Sequence, residues 1–169
     1  RKLVEYVYRR GHRRIAVIRD VKTSIADVRH QILLNNFAAF GLQLPSENVF
    51  PATFNDVQSA AEATRGVLSL PQRPTCIFYP DDTCCTSGIR ELTKHGLSVP
   101  GDISVVGFDG IQLSQVMQPA LTTYRQDMET IGCEVLRLLL SIINAAEPPV
   151  PEHRKIKGEF LPGETVAAL

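Results

Sequence analysis

The chain has 169 residues, 44% of them hydrophobic and 21% charged, enough for one good core or two small lobes of an ordinary globular protein. Lys plus Arg and Asp plus Glu number 18 each, so this segment has no cationic excess with which to grip nucleic acid by itself. No apolar run approaches the roughly 20 residues of a membrane span, and no membrane partner is expected.

Arg1 to Arg10 reads as the end of an amphipathic helix with Leu3, Val4 and Val7 on one face, and Gly11 suits its C-cap. The opening stretch RKLVEYVYRRGHRR is charged and has neither the apolar region nor the cleavage site of a secretory signal; without an initiator Met, a further N-terminal portion is expected ahead of it. Ile15 to Ile18 is a strand, Thr23 to Asp27 a polar loop, and Val28, Ile32, Leu33, Phe37 and Phe40 lie at helical spacing up to Gly41. Val49-Phe50 is a short strand ended by Pro51. Asp56 caps a helix carrying Val57, Ala60, Ala61, Thr64, Val67 and Leu68. Thr75 to Tyr79 is the next strand, and Asp81 or Asp82 caps a helix that Gly96 ends. Ile103 to Phe108 is a buried strand after the turn Pro100-Gly101-Asp102.

This alternation predicts an α/β fold with a parallel sheet flanked by helices. After Gly110 the rhythm changes. Ile111 to Met117 reads as a short helix, Leu121 to Tyr124 as an extended crossing segment, and Asp127 caps a long helix with Met128, Ile131, Val135, Leu138, Leu139 and Ile142. Pro148, Pro149 and Pro151 mark a loop, and Ile156 to Leu161 is a last strand. Cys76, Cys84, Cys85 and Cys133 form no C-x-x-C pair and have no His at zinc-ligand spacing. They read as free thiols in a reducing cytosol.

GHRRIAVI, RPTCIFYPDD, VPGDISVVGFDG and PALTTYRQDMETIG, in that order and spacing, resemble the effector-binding core of the LacI/GalR transcriptional regulators over nearly the whole chain. The resemblance implies a periplasmic-binding-protein type I-like fold: mostly the C-terminal lobe plus part of the N-terminal lobe. Residues 14–121 would be the C-terminal lobe and 122–146 a segment of the N-terminal lobe. Residues 147–169 would return to the C-terminal lobe, and 1–13 would end an N-terminal-lobe helix. The helix-turn-helix of such regulators is absent from this chain.

By the same resemblance Asp109, just past the end of a buried strand, accepts hydrogen bonds from a ligand; a carboxylate can take two neighbouring hydroxyls. The other reading of Asp109 is a helix cap. Arg29 matches an R-x-x-G-F motif whose Gly and aromatic are here Ile32 and Leu33, and a guanidinium there can fork onto a sugar oxygen or a carboxylate. Phe54 stands where relatives stack an aromatic on the ligand, or else is a core residue. Asp81 replaces the usual Asn, so a ligand facing it must donate. Thr86 and Met117 are dimer-interface candidates by position, and His12 is structural.

The function implied is a sensor. A small molecule, a sugar or a nucleoside-like compound, binds in an interlobe cleft of a cytoplasmic homodimer and allosterically controls operator DNA binding through the missing helix-turn-helix. The alternative is a periplasmic or secreted sugar-binding protein of the same fold. An enzyme would require Asp81, Asp82 and Asp109 to converge on a hard cation. Capping and ligand binding account for all three, so no catalytic residue, metal or cofactor is expected.

Overall fold

A computed structural model of the chain describes residues 1–145, 150 and 153–169. Its elements in order are α1 (Lys2–Arg9), β1 (Ile15–Asp20), α2 (Ser24–Ala39), β2 (Val49–Ala52), α3 (Val57–Leu68), β3 (Cys76–Phe78), α4 (Asp82–Lys94), β4 (Ser104–Val106), α5 (Gln112–Val116), β5 (Thr123–Arg125), α6 (Met128–Asn144) and β6 (Glu159–Leu161). The first four strands form a parallel sheet in the order β2-β1-β3-β4. The chain leaves β1 toward one edge and returns to the other, so the order reverses between β1 and β3. Open α/β sheets bind ligands at such a point, beyond the carboxyl ends of the strands.

The strands are apolar on both faces because both faces are covered. Ala16, Ile18, Ile77, Tyr79 and Val105 meet Ala60, Val67, Cys84, Cys85 and Leu92 of α3 and α4. Their neighbours in sequence, Ile15, Val17, Cys76, Phe78 and Val106, point the other way and meet Val4 and Val7 of α1 and Phe37 of α2. This is the period-two alternation of a strand, read from two cores at once.

Helix α1 buries Val4 and Val7 in the core it shares with Phe37 of α2. Two sequence expectations are corrected here. Helix α2 starts at Ser24 rather than Val28, because the Thr23 hydroxyl caps it by accepting from the Ala26 N–H. Pro51 does not end β2 but pairs within it, opposite Arg19. β2 is the edge strand, where a missing N–H is tolerated. Of the two carboxylates left open as the cap of α4, Asp81 is the one and takes the Cys84 N–H at 2.7 Å.

Beyond β4 the chain doubles back on itself. Gly107 N–H donates to Thr122 O at 3.0 Å and Asp109 N–H to Tyr124 O at 3.1 Å, so β5, part of a separate two-stranded sheet, runs beside the residues that follow β4. β5 pairs with β6 in antiparallel fashion. The tail is tied back in as Val105 N–H donates to Thr165 O. His12, fully buried, lies 3.0 Å from both Thr75 Oγ1 and Ala167 O, which gives it the structural place expected of it. α6, capped by Asp127, buries none of its residues. The proline loop, Ala146 and the start of the expected return segment at 147 lie outside the described residues.

Candidate functional site

β1 ends in Asp20, a carboxylate with 1% of its surface exposed. One oxygen accepts from Phe54 N–H at 3.2 Å. The other accepts from Lys22 N–H, Thr23 N–H and the Thr23 hydroxyl, at 3.2, 3.1 and 2.8 Å. Burial disfavours the charge, but these bonds outweigh it and hold the carboxyl below its ordinary range. Asp20 thereby fixes the loop after β1 that starts α2, and the loop after β2 that carries Phe54.

Arg29 stands on the second turn of α2. Its guanidinium carbon lies 5.3 Å from the centre of the Phe54 ring and 4.6 Å from that of Phe108. Contacts of this kind contribute about 0.5–2 kcal/mol. Phe108 is in turn stacked on Tyr124 of the crossing strand at 6.0 Å. The Phe54 ring thus lies at the strand ends with the Arg29 guanidinium over it, and both line the cavity there.

Asp109 follows Phe108 with a backbone φ of 109°, a conformation that costs a non-glycine residue of order 1–3 kcal/mol. Its own N–H and the Gln126 N–H that donates to its carbonyl, at 3.1 and 3.0 Å, over-determine that conformation. Gly110, also at positive φ, could not carry a Cβ, which would lie 2.3 Å from the Cβ of Arg125. One Asp109 oxygen accepts from the Gln126 side-chain amide at 2.5 Å. Burial raises the Asp109 carboxyl above its ordinary range; the Gln126 bond and the Arg29 charge oppose that, and Asp81 adds to it. Arg29 and Asp109, far apart in sequence, thus belong to one electrostatic neighbourhood.

Asp81 is buried, and its two oxygens hold Cys84 N–H and Asn55 N–H, the latter at 2.9 Å. Asp82, fully buried, takes the Thr123 hydroxyl at 2.6 Å and Ile111 N–H at 2.9 Å, so it joins α4, α5 and β5. Burial pushes the Asp82 carboxyl up, against its hydrogen bonds. Among the described residues no three His, Cys, Asp or Glu side chains are grouped to hold a metal. Thr86 and Met117 meet one another, Oγ1 to Sδ at 3.8 Å, and Leu113 and Val116 beside them are exposed.

These features sit in a chain whose residues 4–166 match the family model described as a periplasmic binding protein-like domain. The chain belongs to that family. The form is that of the LacI-type regulators, as the expected resemblance implied. It is 32% identical over 138 residues to the HTH-type transcriptional repressor CytR of Escherichia coli (strain K12), covering 81% of this chain and 40% of CytR. A solved LacI transcriptional regulator from a Rhodococcus species superposes with a TM-score of 0.87 at 25% identity, covering 99% of this chain and 60% of the other. The transcriptional regulator CelR in its cellobiose complex superposes with a TM-score of 0.87 at 27% identity, over 96% of this chain and 49% of CelR. The chain thus spans less than half the length of CytR. The named relatives are transcriptional regulators, not enzymes.

Within this LacI-type domain the sequence reading missed Asp20, Phe108 and Gln126. Asp20 had one visible signal, a charged residue closing the buried run of β1 where an apolar one would continue it. Phe108 reads simply as the end of a strand, and its contact with Arg29 depends on how β1 and β4 are spaced across the sheet. Gln126 stands in the PALTTYRQ stretch, but nothing local ties it to Asp109.

Proposed function

We propose that this chain is the effector-sensing domain of a LacI-type DNA-binding regulator. A small molecule, a sugar or nucleoside-like compound, binds beyond the carboxyl ends of β1–β4, in a cleft whose other wall is a second lobe. Asp109 accepts from ligand hydroxyl or amine groups through the oxygen that Gln126 leaves open. Arg29 donates, and Phe54 supplies an apolar platform. Asp81 shapes the cleft by holding the loop at Asn55. Residues 14–121 are the sensing lobe, joined by α1, and residues 122–146 pass to the second lobe, where α6 would find cover for its exposed apolar residues. Residues 147–169 return.

Ligand closure turns the lobes about the crossing strands and alters the spacing of DNA readers carried elsewhere in a homodimer. The face of α4 and α5 with Thr86, Met117, Leu113 and Val116 suits the dimer contact. Three buried free thiols, Cys76, Cys84 and Cys85, suit a reducing cytoplasm. The observation that carries this reading is the convergence of Arg29, Phe54 and Phe108 at the strand ends, with Asp109 in electrostatic reach of Arg29.

A thermal-shift screen of sugars, cellobiose included, and nucleosides identifies a ligand. Calorimetry then compares the protein with Asp109→Ala. Loss of a charged hydrogen bond of about 1.5–3 kcal/mol predicts a fall in affinity of roughly 10–100-fold with the fold retained. Unchanged affinity refutes the role given to Asp109.

A further inference from the structure

The cavity at this site holds about 260 Å³, just below the roughly 300–1,000 Å³ common for ligand pockets. It does not stop at the polar strand ends. From Phe54 and Phe108 it runs down between α1 and α2, where Leu3, Val4, Ala26, Leu33 and Phe78 make its wall. Asp109 and Asp81 do not line it. Most of this wall is apolar; Arg1, His30 and Asn36 are polar side chains that join Arg19, Asp20 and Arg29 in lining it.

Its charges are uneven as well. Asp20 is the one carboxylate among the lining residues, and both its oxygens are filled by the loops it holds. Arg29 is the opposite case. Its guanidinium carbon lies over two aromatic rings, and no described residue accepts a hydrogen bond from its N–H groups. Contact of its carbon with two rings leaves the N–H donors of a guanidinium able to act, and a planar carboxylate matches two of them with parallel bonds.

We propose that this chamber takes a carboxylate attached to an apolar, ring-sized body. The carboxylate is forked on Arg29, and the body lies between α1 and α2 against Leu33 and Val4. The proposal rests on the cleft being the effector site and puts an apolar organic acid there in place of a sugar or nucleoside, with Asp109 outside its contacts.

The probe is 2-naphthoate, with neutral 2-acetonaphthone and all-polar D-glucuronate as controls, titrated into the 169-residue chain by calorimetry and methyl NMR. Saturable 2-naphthoate binding that shifts the methyl signals of Val4 and Leu33 is expected, with both controls at least tenfold weaker. Arg29→Gln and Leu33→Phe, the second filling the chamber, should each weaken it tenfold or more. The NMR reading on the unaltered chain stands even if Leu33→Phe does not fold. Shifts confined to α6 methyls such as Leu139, or glucuronate binding as tightly as naphthoate, would overturn the proposal. If naphthoate fails while a sugar binds in an Asp109-dependent way, the chamber assignment falls and the cleft reading stands. If naphthoate binds at Val4 and Leu33 but leaves operator binding by the full regulator unchanged, the chamber is a ligand site and the sensing role given to it falls.

Discussion

Both oxygens of Asp20 face donors, and the donors come from two loops: Phe54 N–H on one side, Lys22 N–H, Thr23 N–H and the Thr23 hydroxyl on the other. An amide cannot replace this carboxylate. Asn offers one acceptor oxygen, and its NH₂ must face a donor whichever way it is turned. Asp20→Asn is therefore expected to cost about 1–3 kcal/mol of stability, the penalty of an unmet buried polar group, measured by urea unfolding. Because the loop carrying Phe54 loses its anchor, Arg29 should also lose its ring contact, read as a change in the Phe54 ring signals by NMR. Asp109 and Arg29 stand in motifs that mark them in the sequence. Asp20 does not, since its role comes from a loop 34 positions away and no local spacing records that.

At the scale of elements, burial on both faces explains why most strands could be read from apolar runs, and positive-φ glycines at 11, 41 and 96 explain why several helix ends could. What escaped the sequence depends on neighbours. Pro51 is harmless because β2 is an edge strand, and sheet order is not written in β2 itself. α1 shows its apolar stripe in sequence, but not that the stripe packs in one core with Phe37 and Phe78. α6 is the converse case, an apolar helix without cover among the described residues. Leu139 and Ile143 are 50% and 66% exposed. Changing both to Lys should alter the unfolding free energy of this chain by no more than about 0.5 kcal/mol per site, as for ordinary surface positions. It should also reduce self-association in sedimentation, since a contiguous exposed apolar face is an association site. A large loss of stability would mean that the helix is covered within this chain after all.

For the whole molecule, the balance of charge hides opposed titrations. His12 and His30 are both held below the ordinary histidine range, chiefly by burial, with nearby Arg side chains adding to it. The fold therefore favours their neutral forms. In the unfolded chain a histidine takes its proton near pH 6.5. As the pH falls through that value the unfolded state binds protons that the folded state refuses, and stability drops. The slope for one such group cannot exceed about 1.4 kcal/mol per pH unit. Asp82 and Asp109, whose carboxyls burial raises, act in the opposite sense: as the pH falls through their folded values the fold takes up protons first and gains stability. Asp20 sides with the histidines but only at more acid pH, where its stabilisation is lost below the ordinary carboxylate range. Urea midpoints should accordingly decline from pH 7.5 to 5.5. His12 joins the α1 end to the C-terminal tail through Thr75 and Ala167, so His12→Gln should lower stability at pH 7.5 and make the decline shallower. A decline as steep in that variant as in the parent would assign the pH dependence to His30 alone.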